Sequence, residues 1–172
     1  MAFLPFYGHR PAIPGLPDAA CLSQWFAAPF THDTLRYATC EHWMMARKAI
    51  LFDDLDAFEA IIRGDDDPGR VKSIGRQVRG FDEAKWVRNR YGVVVAGNLL
   101  KFSQHPHLGK WLRSTGDLHL VEAEPNDKVW GAGLGIGDER ITRPGEWPGL
   151  NLLGKALVHV RQVLNDVVNA VP

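Results

Sequence analysis

The sequence predicts an α-rich α+β domain with a few short strands. Three observations carry that prediction. Most of the chain after residue 38 falls into segments whose apolar residues recur at helical spacing, several of them opened by a capping side chain. Only LHLVEA, residues 118–123, alternates as a half-buried strand does. A length of 172 residues, 45% of them hydrophobic, suits a single domain, 1–172, with a sizeable core.

Taken in order, the first thirty residues are rich in Pro, Gly and small side chains. They read as coil with short extended pieces, closing on the core through Leu22, Trp25, Phe26 and Phe30. Thr39 can cap a helix over the following residues to Leu51. In DDLDAFEAIIRG, Leu55, Phe58, Ile61 and Ile62 share a stripe and Gly64 terminates it. Asp67 and Pro68 form an N-cap and N1 pair for a helix through about Val78. A longer helix begins at Asp82 and runs through Trp86, Val93, Val94 and Leu100, with Gly92 and Gly97 weighing against it. A short helix near Leu108–Leu112 and the strand follow. Residues 124–149 form a long Gly- and Pro-rich loop, and long ordered loops are often functional. The last helix, about Leu152–Val168, buries Leu153, Leu157, Val160, Leu164 and Val167.

Bulk properties narrow the function. Lys plus Arg equals Asp plus Glu, so the formal net charge is zero and bulk attraction to nucleic acid or anionic lipid is not expected. Two cysteines, Cys21 and Cys40, are too few for a disulfide framework or a structural zinc site, which makes a reduced, cytoplasmic setting the default. The N-terminus is broken by Pro5, Pro11 and Pro14 and lacks the pattern of a signal peptide. No apolar run reaches membrane-spanning length, so no membrane partner is expected.

The stretch YATCEHWMMARKA, residues 37–49, is mostly apolar yet carries Glu41, His42, Arg47 and Lys48. On a helix Glu41, Met45 and Lys48 share one stripe, and the remaining faces are apolar too, which implies burial on several sides. Glu41 falls in the first turn, where the helix dipole favours an ionised carboxylate and desolvation opposes it. Glu41 and Lys48 are either a first-turn acid and a snorkelling lysine or the walls of a ligand pocket. No metal is expected. There is no HExxH pattern, and Cys40 and His42 diverge on a helix. His105 and His107 flank Pro106 in a turn, a poor setting for a metal.

A second constellation is NDKVWGAGLGIG, residues 126–137. It matches neither a dinucleotide-binding fingerprint nor a Walker loop. Its glycines allow the backbone to approach a ligand, or simply make a flexible loop; Trp130 beside them suits stacking on a base. Asn151 is placed to cap the last helix. A helix start with Lys155 nearby can hold a phosphate, and Lys72 and Arg76 are further phosphate partners or a solvated basic face.

Taken together, these pieces resemble the YbiA-like or NADAR family. They are Phe6-Tyr7, LSQWF with Pro29-Phe30, YATCEHWMMARKA, KSIGRQV, Trp86, Lys101-Phe102, LVEAEPNDKVWG and WPGLNLLGKALVHVR, in order along nearly the whole chain. The resemblance implies a compact, mostly helical domain that cleaves N-glycosidic bonds at a ribose without a cofactor. YbiA-related members act on phosphoribosylamino intermediates of riboflavin synthesis, and other NADAR proteins remove ADP-ribose from guanine bases. By resemblance Glu41, Trp86, Asp127 and Trp130 are site residues, with Lys48, Arg76, Gly131 and Asn151 as pocket or phosphate contacts. Where the family usually shows Ser-Asn-Phe, this chain has Ser23-Gln24-Trp25.

Such a cleavage builds positive charge on the sugar, which an ionised carboxylate beneath it stabilises. Glu41 is expected in that role. Asp127 is expected to position water, hold ribose hydroxyls or help protonate the leaving group, the two carboxylates meeting across one sugar-sized hollow. Lys48 and Arg76 would hold phosphate, and Trp86 and Trp130 the base. The expected partner is a small nucleotide or phosphoribosyl substrate, with ADP-ribosylated DNA or RNA as the competing one. The alternative function is a non-catalytic sensor module that binds ADP-ribose or an NAD-derived nucleotide.

Overall fold

Capping side chains open several of the helices. The computed structural model describes residues 2–170. In it the Thr39 side chain accepts from the His42 N–H and opens helix α1, Cys40–Leu51. Asp54 does the same for α2, Leu55–Ile62, and Asp67 for α3, Pro68–Arg76. Helix α4 spans Glu83–Gln104, α5 Pro106–Ser114 and α6 Leu152–Asn169. The strands are short: β1 Phe3–Phe6, β2 Phe30–His32, β3 Leu35–Tyr37 and β4 His119–Glu122. The class is the α-rich α+β one that the sequence predicts.

The chain forms two compact units, one of Gln24–Gln104 and one of the residues up to Ser23 with those from His105 onward. In the Gln24–Gln104 unit, α1 packs against α2, α3 and α4. That accounts for its apolar circumference: every residue from Cys40 to Ala46 is buried, and Ala49 with them, while Ile50 turns outward. Two glycines let the neighbours come close. A Cβ at Gly75 would overlap the Met45 side chain, and one at Gly97 would overlap the Trp43 ring. Gly97 therefore sits in α4 to admit Trp43, and the helix runs straight through it. Nothing in the structure explains Gly92.

Strands β2 and β3 form an antiparallel hairpin in the register Phe30↔Tyr37, Thr31↔Arg36, His32↔Leu35. Asp33 and Thr34 make its turn, both in the left-handed region at φ 47° and 70°. The sequence reading leaves this stretch as coil, because Asp-Thr lacks the glycine that marks such turns. Helix α2 is also less buried than its stripe predicts: Ile61 is buried, Phe58 and Ile62 are half-buried, and Leu55 is exposed. Ile61 is the one residue of the predicted stripe that is fully buried.

In the other unit β1 pairs with β4 in parallel, Phe3↔His119 through Phe6↔Glu122. Helix α6 packs on β4 and α5 on α6. Leu153, Leu157 and Val160 are buried on α6 as expected, Leu164 is half-buried, and Val167 is exposed because the helix outruns its support. Arg161 is buried, its guanidinium donating to Thr115 Oγ1 at 2.7 Å and to the Leu118 carbonyl at 3.0 Å. The long loop has a core of its own. Ala132, Leu134 and Ile141 pack with Val121 and Ala123, and Phe3 and Trp147 close over them.

Candidate active site

The chemistry-bearing residues fall into two groups, one in each unit. In the Gln24–Gln104 unit, Glu41 sits in the first turn of α1 and is 3% exposed. Its backbone N–H donates to the Gln24 carbonyl at 3.0 Å, which fixes the start of α1 against the Gln24 backbone. The same unit buries polar side chains that the sequence reading did not place in the site. Asn98 and Lys101, one turn apart on α4, are wholly buried, and Gln24 is buried as well. The Cys40 Sγ–H donates to Asn98 Oδ1 at 3.6 Å, and Asn98 Nδ2 donates to Gln24 Oε1 at 2.7 Å and to the Val94 carbonyl at 2.9 Å. Burial pushes the Cys40 thiol up, opposed by the nearby Lys101 ammonium. The available signal was an amide and a lysine at i and i+3 on an otherwise apolar helix face.

Lys48 lies farther along the Glu41 stripe, as the helical wheel requires. Its ammonium donates to the Gly75 carbonyl at 2.7 Å. It also lies 4.3 Å from the Phe81 ring centroid and 5.7 Å from that of Trp86. Partial burial lowers its pKa. The structure thus brings Lys48 and Trp86 together as an aromatic-walled cation, with Trp86 itself buried. Arg76, at the end of α3, is exposed. His42 has both ring nitrogens engaged. Nε2 donates to the Asp65 carbonyl at 3.2 Å, so Nδ1 accepts from Thr39 Oγ1 at 2.9 Å, and burial lowers its pKa. It is a satisfied core histidine.

In the other unit Asp127, Trp130, Gly131 and Asn151 belong to one folded loop. Asp127 Oδ1 accepts from the N–H groups of Val129 and Trp130, at 2.8 and 2.7 Å. One carboxylate oxygen is therefore committed to shaping the turn that presents Trp130. Gly131 is buried, and a Cβ there would lie 2.9, 3.1 and 3.2 Å from the carbonyls of Asp127, Glu122 and Glu124. Its surroundings are acceptors, a packing reason for glycine.

Asn151 stands at the N-cap position of α6 but does not cap it. Its Oδ1 accepts from the Glu122 N–H at 3.0 Å and its Nδ2 donates to the Leu120 carbonyl at 2.9 Å, so the amide extends β4 as a further strand would. Its backbone takes φ 50°, one that asparagine tolerates. The first N–H groups of α6 are satisfied by the loop instead: Leu152 donates to the Val129 carbonyl and Leu153 to that of Trp130. That uses donors which the sequence reading reserves for a phosphate, while Lys155 nearby is exposed. Among the described residues no group of His, Cys, Asp and Glu side chains is placed to hold a metal ion.

Comparison with known proteins bears on what these groups do. The NADAR domain family model matches residues 6–165. The chain belongs to the NADAR family. Within it, the chain is 40% identical over 146 residues to N-glycosidase R617 of Acanthamoeba polyphaga mimivirus, covering 81% of this chain and 85% of that one. It is 33% identical over 146 residues to the chloroplastic riboflavin biosynthesis protein PYRR of Zea mays, covering 81% of this chain but 21% of that protein. The NMR structure of the Escherichia coli protein YbiA is similar at a TM-score of 0.76 and 26% identity, over 99% of this chain and 90% of that one. The NADAR likeness thus extends across both groups of residues, since 41 and 127 both fall inside the matched span.

Proposed function

We propose that this NADAR chain is a hydrolase of ribose N-glycosidic bonds, with Glu41 as its catalytic carboxylate. The observation that carries the reading is a glutamate held 3% exposed in the first turn of a buried helix, with its backbone fixed by Gln24. A carboxylate so placed has a use where cationic charge develops, and a sugar losing its nitrogen substituent becomes such a cation. Relatives that carry the name N-glycosidase support the same reading.

In the reaction, water oxygen bonds to the anomeric carbon as the carbon–nitrogen bond breaks. One water proton passes to a carboxylate and is passed on to the leaving nitrogen, so that the water is divided between sugar and base. Glu41 steadies the cationic ring. Asp127 holds water or ribose hydroxyls through Oδ2, the oxygen that the turn does not use. Lys48, fixed by Gly75 and the rings of Phe81 and Trp86, offers its remaining N–H donors to a phosphate. Arg76 is assigned to the same anion, Trp130 to the base, and Gly131 and Asn151 to shaping the loop that carries Trp130. We place the protein in the cytoplasm, in keeping with its two cysteines, Cys21 and Cys40, neither of them in a disulfide. No helix among the described residues is long and apolar enough to cross a membrane.

Two substrates fit this chemistry: a phosphoribosylamino-pyrimidine, the class suggested by the riboflavin names among the relatives, and ADP-ribose attached to guanine in nucleic acid. Incubation with each, followed by detection of ribose 5-phosphate or ADP-ribose, tests the proposal. Release from at least one is expected. Release from neither contradicts it, and tight ADP-ribose binding without product would make the chain a sensor.

A further inference from the structure

The geometry points to Gln24 as a substrate-binding residue whose side-chain N–H donates to a ribose hydroxyl of the substrate at Glu41. A chain of hydrogen bonds fixes the orientation of the Gln24 amide. The Val94 carbonyl can only accept, so the end of Asn98 that faces it at 2.9 Å is the NH₂ group. That same NH₂ faces the Gln24 amide at 2.7 Å, so the Gln24 atom there is the oxygen. The Cys40 thiol on Asn98 Oδ1 agrees with this orientation. Gln24 Nε2 is therefore directed away from Asn98, with two donor hydrogens.

Among the described residues Gln24 Nε2 has no hydrogen-bond partner, and it is buried, on a residue 6% exposed. A buried donor left without an acceptor is costly, by about 1–3 kcal/mol. The buried amides of Asn151 and Asn98 do not show it, since each uses both of its ends. An anchored oxygen with an unused NH₂ is the arrangement of a residue held ready for an outside acceptor. The Gln24 carbonyl is also what receives the Glu41 N–H. The donor-only NH₂ and the acceptor carboxylate thus belong to two residues joined backbone to backbone. A hydroxyl satisfies both kinds of group at once, accepting from one and donating to the other. Ribose hydroxyls supply that chemistry. Asn98 acts through Gln24 and is a positioning residue.

This inference rests on the N-glycosidase reading, and a substrate cycle tests both separately. The kcat/KM of wild type, Gln24→Met and Gln24→Glu is measured on the ribose substrate and on its 2′-deoxy and 3′-deoxy analogues. Gln24→Glu keeps an oxygen for Asn98 and removes the donor; Gln24→Met removes both, so one of the pair remains informative if the other fails to fold. Each variant is expected to lose about tenfold or more on the ribose substrate. On the analogue that lacks the contacted hydroxyl, wild type and variant should be nearly equal. Equal losses on all three substrates, with thermal stability also reduced, would mean that Nε2 serves the fold or a buried water, and would overturn the assignment of Gln24. A wild type inactive on every substrate would instead overturn the N-glycosidase reading, and this one with it.

Discussion

Asp54 shows how a single side chain can serve two elements. It caps α2 through the Ala57 N–H, receives the Arg79 backbone N–H at 2.8 Å, and binds the Arg79 guanidinium. Arg79 beside it, and those N–H donors, hold its carboxyl well below the usual range, against the opposing effect of burial. A carboxyl depressed in the folded state adds stability at pH values above its unfolded pKa, about 3.9, and that contribution fades as pH falls through the folded value. Asp54→Asn is therefore expected to lower the urea midpoint at pH 7, with the gap to wild type closing as the pH is taken below about 4. A gap that stays constant from pH 7 to pH 3 would contradict this account. At this scale Glu41, Lys48 and Thr39 were legible in the sequence, because helical spacing and capping rules act within one turn. The partners of Asn151 were not, since its amide reaches β4, about thirty residues earlier in the chain.

At the scale of elements, the contact of α1 with α4 depends on a glycine. The Trp43 indole is fixed by its N–H donating to the Val93 carbonyl at 2.8 Å and by the Tyr37 and Phe30 rings, 5.1 and 6.2 Å away. It cannot retreat from a methyl group at position 97. Gly97→Ala should cost about 1–3 kcal/mol from overpacking, less up to about 1 kcal/mol returned by helix propensity. Gly92→Ala, where a Cβ meets nothing within 4 Å, should stabilise α4 by roughly 0.5–1 kcal/mol. Chemical denaturation of the two variants checks the pair, and equal shifts for both would refute the packing explanation. Helix spans could be read ahead of the structure because their periodicity and caps are local. The hairpin β2–β3 escaped because its turn has no glycine, and the β1–β4 pairing because more than a hundred residues separate its strands.

On the scale of the whole molecule, the NADAR match spans residues 6–165, and the two groups of polar side chains lie in different compact units of that span. Motif resemblance named Glu41 and Asp127 ahead of any coordinates and marked Gln24 as a departure from the family's Ser-Asn-Phe, but it left out Asn98, which enters only through its hydrogen bond to Gln24. The role proposed for Glu41 is that of a charge at the sugar and not of a part of the fold. The direct test is the Glu41→Gln variant, its folding checked by thermal melting and its turnover measured on the ribose N-glycoside that wild type cleaves. We predict a melting temperature close to that of wild type and a kcat reduced by about a hundredfold or more, the scale of losing one key electrostatic stabiliser. A folded Glu41→Gln protein with wild-type turnover would contradict the assignment.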